Sequence, residues 1–114
     1  MAIKYFVNED KRQVIGVLSN CRWDAIHKIE KMVADTGFCF CPSEKYMMPS
    51  EFRAVVQCDE RDEFDVEVGK RIAKERILDR YYPALDKRVN KFFDAARAFN
   101  EKVFGIPEAV ENNT

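Results

Sequence analysis

Apolar positions change period several times along the chain, and each change marks an element. Ile3 to Val7 and Gln13 to Leu18 are β-rich runs separated by the polar stretch Asn8-Glu9-Asp10-Lys11-Arg12, the pattern of a hairpin with a five-residue loop. From 22 to 36 the period turns helical: Ile26, Ile29 and Val33 fall three and four apart on one stripe, with Trp23 beside it. Ser19 or Asn20 is placed to cap the start, and Gly37 stands where a left-handed C-terminal cap is wanted. Phe38 to Cys41 reads as a short strand, and Pro42 and Pro49 bracket an exposed loop. Residues 51–58 alternate again, with Phe52, Ala54, Val56 and Cys58 on one face and Arg53, Val55 and Gln57 on the other. Asp62 or Asp65 caps the next helix, which is expected to end near Arg80 because Pro83 interrupts it.

The last stretch has the clearest period of all. Leu85, Val89, Phe92, Ala96, Phe99 and Val103 follow a 4-3-4-3-4 spacing, an unbroken heptad seam, until Gly105 and Pro107 stop it. The order β-β-α-(β)-β-α-α predicts an α+β fold. Its small antiparallel sheet is the N-terminal hairpin plus one or two further strands, packed on one face by three helices, the last one long. Residues 1–107 form a single domain and 108–114 a polar tail. A seam of this kind, widened by Phe93 and Phe104, also suits a homo-oligomer built through the 85–104 helix.

A chain of 114 residues buries one modest core and is too short for two. Its 46% apolar and 34% charged residues give it both a core and a hydrated surface, which argues against disorder. A formal net charge of −1 argues against general nucleic-acid coating, which needs a basic surface. No apolar run approaches the roughly 20 residues of a membrane span, and Lys4 interrupts the run where a signal peptide would be apolar. A cytoplasmic location with reduced cysteines is therefore expected. The balanced total hides a reversal, however. Residues 59–67 hold six carboxylates and one arginine, whereas 70–91 hold eight Lys or Arg and three acids. Separated patches of this kind attract charged partners.

Candidate chemistry is sparse. Cys21, Cys39, Cys41, Cys58 and His27 are zinc-ligand types, but Cys39-Phe40-Cys41 is a C-x-C with no second pair, so free thiols and no metal are expected. His27 falls mid-helix beside the apolar stripe and reads as a partly buried histidine rather than a general base. No nucleophile elbow, phosphate loop or dinucleotide fingerprint occurs, and no cofactor is expected. The acidic stretch Asp59, Glu60, Asp62, Glu63 and Asp65 lacks the spacing of a calcium loop. It can serve as helix capping and solvation, or as a phosphate mimic toward a basic protein. The basic helix Lys70, Arg71, Lys74, Arg76 and Arg80 is either a solvated face or, with nearby tyrosines, a grip for a nucleotide. In that second reading Arg53, Arg76 or Arg97 holds phosphates, and Trp23, Tyr81 or Tyr82 stacks on a base.

Ala54-Val55-Val56-Gln57-Cys58, Asp62-Glu63-Phe64-Asp65 and Gly69-Lys70-Arg71-Ile72-Ala73 together resemble a pattern of short proteins from phages and prophages of Gram-positive bacteria: a strand ending near Cys, a DEFD-like turn and a GK..A helix. The likeness covers about residues 52–76. In size and coarse organisation the chain is also similar to the anti-Thoeris sponges, phage proteins that assemble and sequester cyclic ADP-ribose-type or cyclic-oligonucleotide immune signals without cleaving them. The resemblance implies a non-enzymatic anti-defence protein in the bacterial host cytoplasm, whose partner is a nucleotide-derived small molecule. The alternative partner is a host defence protein, inhibited in an anti-CRISPR-like manner through the acidic patch. No ligand residue of the sponge family is carried over.

Overall fold

The two N-terminal runs do become a hairpin. In the computed structural model, which describes residues 2–37 and 40–104 (the last two as backbone), β1 (Ile3–Asn8) and β2 (Gln13–Leu18) pair antiparallel from Ile3↔Leu18 to Asn8↔Gln13. The loop is four residues rather than five because Asn8 stays in the ladder. Its turn is closed by Arg12 N–H to Glu9 O at 3.1 Å, with Arg12 itself at a φ of 53°. β3 (Phe52–Gln57) pairs antiparallel with the other edge of β2, so the sheet order is β1-β2-β3. Phe52, Ala54 and Val56 are buried and Arg53, Val55 and Gln57 exposed, the alternation the sequence shows.

Only two α-helices form among the described residues, not the three expected. α1 (Asp24–Val33) carries the stripe Ile26, Ile29 and Val33 inward, and Gly37 takes a φ of 75° beyond its end. Neither Ser19 nor Asn20 caps it. Trp23 holds the N-cap position without a capping hydrogen bond, because the chain first needs a left-handed Asn20 (φ 62°) to leave β2. A 3₁₀ turn at Glu44–Tyr46 lies in the loop between the bracketing prolines. Phe40 and Cys41 are irregular rather than β, and the rest of the expected strand at 38–41 lies outside the described residues.

α2 (Val66–Phe104) is a single helix of 39 residues with Pro83 inside it. At about 1.5 Å per residue it spans nearly 60 Å, which sets the long dimension of a 64 × 28 × 21 Å molecule. Interior proline costs a helix about 3 kcal/mol. Here Tyr81 and Leu85, on either side, are both buried, so only a continuous helix seats them. Pro83 faces solvent, and its missing N–H orphans only the carbonyl of exposed Asp79, which water can reach. Tertiary burial overrides local propensity. Pro83→Ala is expected to raise the unfolding free energy by about 1–2 kcal/mol, the helix gain less the loss of proline's restriction on the unfolded chain. A higher urea midpoint measures it.

The first part of α2 lies across the inner face of the sheet, and two glycines let it approach. A Cβ on Gly69 would sit 2.6 Å from Val14 Cγ2, and one on Gly16 would meet Ile77 Cδ1 at 3.0 Å and Ala73 Cβ at 3.2 Å. Beneath that crossing, Ala54, Val56, Ala73, Ile77 and Tyr81 form the main core with Leu18 and Phe52. A second cluster lies farther along α2, where Val89 and Phe92 meet Ile26, Ile29 and Val33 of α1 and Tyr46. The heptad seam is thus used mostly inside the chain: Leu85, Val89 and Phe92 are buried, Ala96 is half-buried and Phe99 is 59% exposed. No helix of the described residues is long and apolar enough to cross a membrane.

Candidate functional site

A cleft opens where β2 ends, between α1 and α2. Its volume is about 530 Å³, and Ser19, Asn20, Asp24, His27, Lys28 and Lys31 line it above a floor of Leu18, Leu85 and Tyr81, with Ala2 at one side. The polar wall follows from helical spacing. Ile26, Ile29 and Val33 turn α1's apolar stripe inward, so residues 24, 27, 28 and 31, at i, i+3, i+4 and i+7, share the adjacent face. Asn20 reaches the rim because it takes the left-handed backbone, a conformation in which asparagine is enriched.

Among the cleft's described lining residues Asp24 is the only carboxylate, and it is engaged. The Tyr81 hydroxyl donates to Asp24 Oδ2 at 2.7 Å. Burial, and then this bond and the Asp24 charge, push the Tyr81 hydroxyl well above its ordinary value, so it stays protonated and donating. Its folded value is raised, so its contribution to stability is complete below about pH 10 and is lost as pH climbs past the unfolded tyrosine value toward the folded one. Unfolding midpoints should therefore fall between pH 10 and 11 in the wild type, and Tyr81→Phe should flatten that decline. Nearby Cys21 is buried, with its thiol near the carbonyls of Leu18 and Ser19 at 3.7 Å. Burial, reinforced by Asp24, raises its thiol above the ordinary range, which makes it a poor nucleophile. Lys28 and Lys31 outnumber the single Asp24 charge among the cleft's described lining residues, over an apolar floor.

The residues that the sequence nominated for ligand contact are scattered. Tyr81 lines the cleft, though with its ring buried edge-on between Phe52 and Tyr82 rather than free to stack. Tyr82 is 46% exposed beside it, and Trp23 is 45% exposed at the start of α1. Arg76 spends its guanidinium on the Val55 carbonyl at 3.1 Å, and Arg80 donates to the Arg53 carbonyl. Arg53 pairs with Glu51 at 3.4 Å. Arg97 pairs with Asp94 at 3.6 Å, and 21 residues of helix, about 31 Å, separate it from Arg76. The three arginines therefore do not converge. His27, expected half in the core, is exposed on the cleft wall. Asn20, expected only as a helix cap, and Lys28 and Lys31 are not among the ligand residues nominated from the sequence. Their signal was the polar i, i+3, i+4, i+7 stripe beside the apolar one on α1.

The acidic stretch has a structural job. Asp65 caps α2, its Oδ1 accepting from the N–H groups of Glu67 (3.0 Å) and Val68 (3.3 Å). Asp59 accepts from the side chain and backbone of Arg61, which hold its carboxyl below the ordinary range. Arg12 enters the turn and donates to the carbonyls of Asp59 and Asp62 and to Cys58 Sγ. Asp59, Glu60, Asp62, Glu63 and Asp65 are all exposed. Of the thiols, Cys58 is half-buried and Cys41 exposed, while Cys39 lies outside the described residues. Among the described residues no three His, Cys, Asp or Glu side chains gather as metal ligands. Set beside known proteins, the chain matches no family model, no curated protein and no solved structure.

Proposed function

We propose that the protein binds a small phosphate-bearing ligand of nucleotide type in the cleft between α1 and α2 and holds it unchanged. The observation that carries this is the convergence of Lys28, Lys31, His27 and Asn20 on one cavity where, among the described lining residues, two lysines face a single carboxylate, Asp24, itself hydrogen-bonded by Tyr81. A volume of about 530 Å³ lies within the usual 300–1,000 Å³ range of small-molecule sites. Lysines bind phosphate as point charges, and an apolar floor receives a base or sugar face. The resemblance to phage sponges makes a cyclic ADP-ribose-type or cyclic-oligonucleotide immune signal the first ligand to test. The role is then capture of that signal in the host cytoplasm. Titration calorimetry with cyclic ADP-ribose isomers and cyclic dinucleotides should give saturable heat with at least one of them. Lys28→Glu/Lys31→Glu should weaken that binding at least tenfold, and mass spectrometry should recover the ligand intact. No heat with any of them removes the nucleotide reading, and a converted ligand removes capture.

A second reading is inhibition of a host defence protein through the acidic turn. Its support is the exposure of Glu60, Asp62 and Glu63, whose carboxylates neither cap α2 nor pair with Arg61. Reversing these three charges would abolish anti-defence activity on this reading and leave it intact on the first. Pairing of two copies through the far part of α2 also belongs here, supported by exposed Phe99 at the end of the seam. A monomer by sedimentation at high micromolar concentration would remove it.

A further inference from the structure

The two free edges of the sheet are treated differently. Cys58 N–H donates to Arg12 O at 2.9 Å, and Arg76 and Arg80 reach the carbonyls of Val55 and Arg53 from outside. Even-numbered β3 residues therefore bond inward and odd-numbered ones face the edge, where two guanidiniums cover them. Antiparallel pairing alternates, so the register Val14↔Val56 and Phe6↔Ile15 carries the pattern across β2. Lys4, Phe6 and Asn8 then bond to β2, and Ile3, Tyr5 and Val7 turn their N–H and C=O groups outward. Among the described residues no hydrogen bond reaches those outward groups.

What flanks this open edge is basic and apolar. On the helix side, Lys70 Nζ lies 5.8 Å over the Tyr5 ring, and Lys74 with Ile3, Tyr5 and Leu78 lines a hollow of about 180 Å³. On the outer face, Lys4 and Phe6 stand two residues apart, and Phe6 is 55% exposed. Among the described residues the only carboxylate paired with these lysines is Glu67, 3.7 Å from Lys70. Lysines beside an edge discourage self-pairing, because a second β1 would bring its own Lys70 and Lys74 against these.

We propose that β1 is an acceptor edge for an extended acidic segment of a partner protein, which adds antiparallel as a fourth strand. Main-chain bonds to Ile3, Tyr5 and Val7 would supply affinity, and alternate side chains would supply selection. An apolar side chain fills the hollow over Ile3, Tyr5 and Leu78, and carboxylates meet Lys4 and Lys74. This edge lies on the opposite flank of the sheet from the arginine-covered β3, and its use does not depend on the cleft ligand.

An eight-residue peptide of glutamates with one central valine, which presents carboxylates on both of its faces, is labelled and followed by fluorescence anisotropy to test this on the full chain. It should bind at least tenfold tighter than the matching lysine–valine peptide. Methylating its amide nitrogens at alternate residues, in the phase that faces β1, should abolish binding, and the other phase should not. Lys74→Glu, at an exposed position, should weaken binding tenfold or more with an unchanged unfolding midpoint. Amide NMR shifts should centre on Ile3, Tyr5 and Val7. Equal binding of the lysine peptide, indifference to N-methylation, shifts centred elsewhere or no binding up to 1 mM would each overturn the proposal. A β1-mediated dimer in sedimentation would overturn it in favour of a second copy.

Discussion

Ile77→Ala should lower the unfolding free energy by about 2–5 kcal/mol, the range for truncating a buried isoleucine. Ile77 is 0% exposed where α2 crosses the sheet, and its Cδ1 lies against the space over Gly16. Two losses add: the transfer free energy of the missing carbons, and a cavity the surroundings cannot close. They cannot close it because the facing residue is a glycine, with no side chain to move in. The β2 backbone beneath is held on both sides by β1 and β3. Against a total stability of about 5–15 kcal/mol for a domain of this size, such a loss is severe. Urea unfolding should show a lower midpoint with an unchanged slope. Met32→Ala, at an exposed position of α1, serves as the control and should change stability by no more than about 0.5 kcal/mol. Equal effects at the two sites would mean that the crossing of α2 over Gly16 is misplaced.

Arg12→Ala should cost about 1.5–3 kcal/mol, and Arg12→Gly about 1 kcal/mol less. The guanidinium is a cation inside an acidic turn, yet it bonds the turn's backbone rather than its carboxylates. It donates to the carbonyls of Asp59 and Asp62 and to Cys58 Sγ, and it lies 5.9 Å from the Phe64 ring centre. That one side chain ties the β1–β2 turn to the segment leading into α2. These bonds are partly exposed, so water takes over some of them in the variant, which keeps the loss below the sum of the individual bonds. Glycine regains part because residue 12 holds a φ of 53°, a conformation costly for alanine and free for glycine. The expected order is wild type, then glycine, then alanine, with amide exchange of Glu67 and Val68 accelerating in both variants. Equal stability of the two variants would show that the left-handed turn relaxes once the guanidinium is gone.

That network also changes the meaning of the most distinctive sequence pattern. Cys58 sits under Arg12, Phe64 faces the same guanidinium, and Asp65 caps α2. Gly69 lets the helix lie on Val14, and Ala73 meets the space over Gly16. These five motif residues have folding roles, so this part of the resemblance speaks to how the corner is built. The candidate ligand cleft lies elsewhere, on the polar wall of α1 between β2 and the middle of α2.

Local pattern was enough for the hairpin, for the faces of β3, for the inward stripe of α1 and for an aspartate cap of α2 at residue 62 or 65, because each depends on residues within a turn or a strand of one another. Side-chain period and capping chemistry act over those distances, and they survive folding unchanged. The continuity of α2 through Pro83 was settled by burial of Tyr81 and Leu85 against partners far away in the chain. Partners distant in sequence likewise decided which cations remained available: the edge carbonyls of β3 took Arg76 and Arg80, whereas Lys28 and Lys31 were left facing a cavity. A charge in a sequence carries no record of its eventual partner. Only the packed chain determines whether it is spent on the backbone or left for a ligand.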